Sequence, residues 1–180
     1  MIEEHSFYID KLPENCRISK FSNELKEFLP FDMKNLENFL LKLFDNSRKF
    51  IFENINPIFS PEIELNLIFQ AEKFDKIKKE KEKTAKIKEQ AKRKLTAFHV
   101  GNNLKGHVFI NVEERLSVLK HGYPTFILNI VMTFFHEILH CCYLNLRTEQ
   151  EIFDIESSLV EKFLEIDLPQ SWKNLESKYF

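Results

Sequence analysis

One stretch governs what this chain can become. From Thr125 to Leu144 the sequence is almost wholly apolar, yet it carries His136, Glu137 and His140 in the order H-E-x-x-H. Residues four apart share a face of an α-helix, so helical geometry sets the two imidazoles side by side. The flanks, Phe126-Ile127-Leu128 before and Cys141-Cys142-Tyr143 after, belong in a core. Two histidines and a glutamate in such a segment cost kilocalories unless partnered. A zinc ion satisfies all three: His136 and His140 as ligands, with Glu137 directed at the next coordination position, where a water would sit. The run is near membrane-spanning length, but Asn129, Thr133, His136, Glu137 and His140 interrupt it, which makes it a core helix rather than a span.

Two histidines do not complete a zinc site, so a third protein ligand is expected. The segment Thr148 to Ile166 reads as a helix, because Thr148 and Glu151 have capping-box spacing. On a helical wheel Ile152, Ile155, Leu159, Val160, Phe163, Leu164 and Ile166 form one apolar stripe. Glu156 falls near the middle of that stripe, where a carboxylate needs a charged or metallic partner. Glu156 is therefore the expected third ligand, and Glu149, on nearly the same line, is the second candidate.

This arrangement resembles the gluzincin class of zinc metallopeptidases, in which H-E-x-x-H on one helix is joined by a glutamate from the following helix. Upstream, Gly106-His107-Val108-Phe109-Ile110-Asn111-Val112 reads as a short strand. It is similar to the strand ahead of the active-site helix in minimal gluzincins and in the small ImmA/IrrE-like peptidases. The likeness covers about residues 98–168; after Glu156 the chain departs from the ImmA/IrrE pattern, reading Ser157-Ser158. The resemblance implies peptide-bond hydrolysis by metal-activated water with Glu137 as general base, latency in some members, and an edge strand that holds the substrate backbone. A further group would steady the oxyanion. His121 and Tyr123, ahead of the helix, and Tyr143, behind the motif, are candidates, and their spacing singles out none of them. The alternative reading is a metal-binding regulatory or interaction protein that cleaves little.

At 180 residues with 43% hydrophobic content, the chain can bury a real core. Its 19 Phe and 3 Gly point to few tight turns and much helix. A net charge of −2 gives no general argument for nucleic acid. Three cysteines are too few for a disulfide framework, and Met1-Ile2-Glu3-Glu4-His5 lacks a signal pattern; both suggest a cytoplasmic protein with reduced thiols.

Three parts are expected. Residues 1–59 read as a helical region: Leu25, Phe28 and Leu29 precede a break at Pro30, and Asp32 caps a helix carrying Leu36, Phe39, Leu40, Leu43 and Phe44. Its expected role is packing on the core, with a propeptide or substrate-selecting segment as the sharper alternative. Residues 60–95 read as one long charged helix, capped by Ser60, with Pro61 in its first turn and Glu62 and Glu64 at the positive end of the dipole. Between Lys73 and Lys94 it holds eleven Lys and Arg against four acidic residues. That is a solvated face, or a seam that pairs two copies of the chain. Residues 96–180 read as the zincin-like core, closed by Pro169 and a tail carrying Trp172, Tyr179 and Phe180. The expected fold is α+β and predominantly α, with a small mixed sheet of two to four strands packed on the His-bearing helix and the Glu-bearing helix. The expected partner is a protein or peptide substrate, with no membrane.

Overall fold

The computed structural model describes residues 33–58, 60–85, 97–101, 104–116, 119 and 122–168. Among them the order is α1 (Met33–Asn54), β1 (Glu62–Ile68), α2 (Ala71–Ala85), β2 (Ala97–Gly101), β3 (Lys105–Asn111), α3 (Val112–Leu116), α4 (Tyr123–Tyr143), a 3₁₀ turn (Leu144–Leu146) and α5 (Glu149–Leu164). The protein is α+β and mostly helical, as its sequence leads one to expect. The expected pieces around Leu25, at Asp32, over 86–95 of the charged segment and in the tail from Pro169 lie outside the described residues.

Helix α1 forms because Leu36, Phe39, Leu40, Leu43, Phe44 and Ile51 recur every three or four residues and all become buried. Ser47 sits on the same buried face and satisfies its hydroxyl by donating to the Leu43 carbonyl at 2.8 Å. The stripe lies against α4 and α5. Phe44 meets Phe134 edge to face, with centroids 5.2 Å apart, and Phe50 packs against Phe163 at 5.1 Å. One hydrophobic cluster draws residues from α1, from β1 and β3, and from α4 and α5.

The three strands form one sheet in the order β1-β3-β2. β1 runs parallel to β3, with Ile63 opposite Gly106 and Leu67 opposite Ile110. β2 runs antiparallel to β3, with Ala97 opposite Ile110. The segment 60–95 therefore departs from the single long helix expected of it. Glu62-Ile63-Glu64-Leu65-Asn66-Leu67 alternates polar and apolar with period two, which suits a half-buried strand. Ile63, Leu65 and Leu67 turn to the main core, and parallel pairing with β3 satisfies the backbone. The helix begins only at Ala71, whose N–H donates to Glu113 at 2.7 Å. Its anchor is Phe74, fully buried against Phe109 on the opposite sheet face.

A second expectation changes with the sheet order. The strand Gly106–Val112 is found as β3, one residue earlier, but it is central and paired on both sides. The outer edges belong to β1 and β2. Period two along β3 explains why: Val108 and Ile110 face the core while Phe109 faces α2, so the strand is covered on both faces.

Helix α4 is the axis of the fold. Gly122 precedes it at φ 99°, a backbone setting open to glycine, and Pro124 lies in its first turn. The side chains from Thr125 to Tyr143 are all buried. Over Thr125–Tyr143 it is long and apolar enough to cross a membrane, and 94% of that stretch is covered by the rest of the fold. Its polar members bond back to the helix: Asn129 donates to the Thr125 carbonyl at 3.0 Å and Thr133 to the Asn129 carbonyl at 2.8 Å. Gly106 of β3 lies close against α4: a Cβ there would stand 2.8 Å from Cys141 Sγ.

Candidate metal centre

His136, Glu137 and His140 lie near the C-terminal end of α4, each 7–9% exposed. The chain then turns sharply. α4 ends at Tyr143, the 3₁₀ turn follows, and Thr148 caps α5 with the reciprocal capping box that its sequence foretells: the Glu151 N–H donates to Thr148 Oγ1 at 3.2 Å, and the Thr148 N–H donates to Glu151 Oε2 at 2.7 Å. This places Glu149 in the first turn of α5, directly across from the two imidazoles.

Three donor atoms converge there. His136 Nε2 and His140 Nε2 are 3.1 Å apart. Glu149 Oε2 is 3.2 Å from the first of its neighbours, His140 Nε2, and 3.3 Å from the second, His136 Nε2. A tetrahedral zinc ion with bonds of about 2.0–2.1 Å separates its ligands by about 3.3 Å, so this triangle has the edge lengths of one face of such a site. His136, His140 and Glu149 thus form a group that could hold a metal ion.

Glu156 is where the sequence puts it, in the buried stripe of α5, with no exposure at all. It faces the other edge of the His136 ring: Oε2 lies 2.8 Å from Nδ1. The third corner of the group, expected of Glu156, is thus occupied by Glu149, the second candidate, while Glu156 lies against the far nitrogen of the His136 ring. A carboxylate on Nδ1 holds the proton there and leaves the Nε2 lone pair for a cation. Burial identified Glu156 correctly as a residue that needs a partner. Depth alone does not bring a carboxylate to both Nε2 atoms; Glu149 reaches them from the rim of the helix pair, where its side chain is 34% exposed.

The electrostatics describe a place short of positive charge. Burial by itself depresses the His136 pKa, but the charge of Glu156 and hydrogen bonds to Glu149 and Glu156 outweigh it, and Glu137 adds to them; the imidazole ends well above its ordinary 6.5. Burial likewise opposes ionisation of Glu149, yet hydrogen bonds from His136 and His140 hold its carboxyl far below the usual carboxylate range. Burial raises Glu156, against the pull of His136, and the charges of Glu137 and Glu149 push the same way. Three carboxylates around two imidazoles are suited to a divalent cation. The donor set of two imidazole nitrogens and one carboxylate oxygen fits zinc and also neighbouring divalent ions.

Cys141 and Cys142 are buried free thiols. Burial, with the charge of Glu137 added, raises Cys141 beyond the range of a reactive thiol, and burial raises Cys142 to about 12. Of the three residues considered for the oxyanion, His121 and the Tyr123 side chain lie outside the described residues. Tyr143 is buried, with the Arg147 guanidinium 5.3 Å above its ring.

No family model matches the chain, and it matches no curated protein and no solved structure.

Proposed function

We propose that this protein is a metal-dependent peptidase whose cation is held by His136, His140 and Glu149 and whose general base is Glu137. The observation that carries this reading is the triangle of Nε2, Nε2 and Oε2 with edges of 3.1, 3.2 and 3.3 Å, built on the same helix turn as Glu137. A divalent cation bound there supplies Lewis acidity for a carbonyl oxygen and lowers the pKa of a water. The chain's residues do the rest. Glu137 accepts the water's proton and hands it to the leaving amine, which accounts for a carboxylate next to the first ligand. Glu156 keeps the His136 ring from rotating and fixes its tautomer. If the substrate backbone adds to the sheet, as the resemblance implies, it lies along β1 or β2, since β3 is paired on both sides. We take the substrate to be a protein or peptide chain.

The test is zinc content together with digestion of an unfolded protein such as casein. Wild type is expected to hold one zinc per chain and to cleave. Glu137→Gln is expected to retain the zinc and to lose cleavage by about 10²–10⁴-fold, the usual worth of a positioned general base. Zinc bound equally well by both, with no cleavage by either, would leave a metal-binding protein and end the peptidase reading. Absence of bound metal from undepleted protein would end both.

A further inference from the structure

The backbone at the end of α4 points beyond ligand identity. Leu144 has φ 49° and ψ −129°. Two non-glycine residues have positive φ among those described, Leu144 and Glu165. Glu165, at φ 57° and ψ 48°, lies in the left-handed well that often ends a helix. Leu144 lies outside that well, near the first central position of a type II′ turn, which is glycine territory because a Cβ there crowds the carbonyl. A leucine persists in such a setting only where its surroundings dictate it.

The surroundings do so. The Leu144 N–H donates to the His140 carbonyl. Arg147 lies over the Tyr143 ring and reaches Glu151 at 3.5 Å, and Thr148 and Glu151 bolt the start of α5. This bend is the only chain between His140 and Glu149, so it sets how the carboxylate returns to the two imidazoles.

We propose that Leu144 is a positioning residue that makes Glu149 a closing arm. Its positive-φ backbone places the third ligand, and the strain stored there favours any state in which the turn relaxes and Glu149 withdraws. The bound cation, through Glu149, then holds the turn shut. This rests on the reading that His136, His140 and Glu149 bind a divalent cation.

The experiment is a series at one position, Leu144→Gly, Leu144→Asn and Leu144→Val. Zinc affinity is measured by competition with a chelating dye, and the melting temperature of each metal-free protein is recorded beside it. Tolerance of positive φ falls from Gly through Asn and Leu to Val. Zinc affinity is expected to fall in that order, with Leu144→Gly about tenfold tighter than wild type, the size expected when a left-handed penalty is removed. A flat zinc affinity across the series, with only the melting temperatures ordered, would overturn the proposal, because the strain would then be structural alone. An affinity that follows side-chain size would overturn it too. Should Leu144→Val fail to fold, Leu144→Ala decides instead: alanine is smaller than asparagine but tolerates positive φ less well, so its zinc affinity is expected below that of Leu144→Asn, and one above it would follow size and overturn the proposal. Wild type that binds no zinc would sink the metal centre itself, a result distinct from wild type and Leu144→Gly binding alike.

Discussion

Oε2 of Glu156 lies 2.8 Å from Nδ1 of His136, across the imidazole from the nitrogen that meets His140. One imidazole thus lies between two carboxylates, Glu149 at Nε2 and Glu156 at Nδ1. Removing an outer-sphere partner of a metal-bound histidine costs about 10–100-fold in affinity. Glu156→Gln and Glu156→Ala are expected within that range. Glu149→Ala is expected to exceed it, because a ligand is lost. Competition with a chelator of known strength ranks them. A larger loss for Glu156→Ala than for Glu149→Ala would restore Glu156 as the ligand.

The charge surplus predicts opposite pH trends for the free and loaded protein. His136 has a folded pKa above its ordinary 6.5, so its stabilising contribution is complete below about 6.5 and fades as pH rises through the raised value. Glu156, raised above 4.5 by burial, has the same sign. Glu149, lowered from 4.5, contributes above that value and is lost only in acid. The melting temperature of the metal-free protein should therefore fall from about pH 6.5 upward. Zinc must displace the His136 proton, so its affinity should rise over the same interval. Melting curves with and without a chelator between pH 5 and 9 should show the gap widening. A gap constant with pH would contradict the arrangement.

The contact between Gly106 and Cys141 leaves no room for a methyl group. An added Cβ would stand 2.8 Å from Cys141 Sγ and 3.2 Å from its Cβ. Gly106→Ala is expected to destabilise by about 1–3 kcal/mol, typical of overpacking. Cys141→Ala in the same chain removes the obstructing sulfur and should recover part of the loss. Denaturant midpoints of the two single variants and the double variant give the coupling. Simple additivity would mean that the sheet approaches α4 elsewhere.

Helix α1 should be indispensable. Phe134 is fully buried against Phe44, so Phe134→Ala is expected to cost about 3–5 kcal/mol. Expression without residues 33–54 should give no cooperative unfolding transition by calorimetry. A folded, zinc-binding product would show that this helix can be removed as a propeptide.

Much of this was legible in the residues. The heptad-like recurrence of Leu36, Phe39, Leu40 and Leu43 gave α1, and the apolar run around H-E-x-x-H gave α4. Thr148 and Glu151 marked the start of α5. Two features were hidden by competing local signals. Ser60 and Pro61, followed by acidic residues, imitate a helix start, and this masked the period-two pattern of Glu62–Ile68, whose strand character depends on a partner more than thirty residues away. Glu149 was overshadowed by Glu156 because a helical wheel reports depth in an interface, not position along the axis. It cannot show that the His140 end of α4 faces the first turn of α5. The bend at Leu144 has no signature in sequence, since nothing about a leucine between Tyr143 and Asn145 announces a left-handed residue.

The enclosure of α4 bears on how the centre comes into being. Its sides are covered by α1 from early in the chain, by the sheet from the middle and by α5 from the end. No fragment lacking any one of these can shield so greasy a rod from water. The triangle of His136, His140 and Glu149 is therefore expected to form together with the fold as a whole, since α5 both covers α4 and carries the carboxylate that closes it.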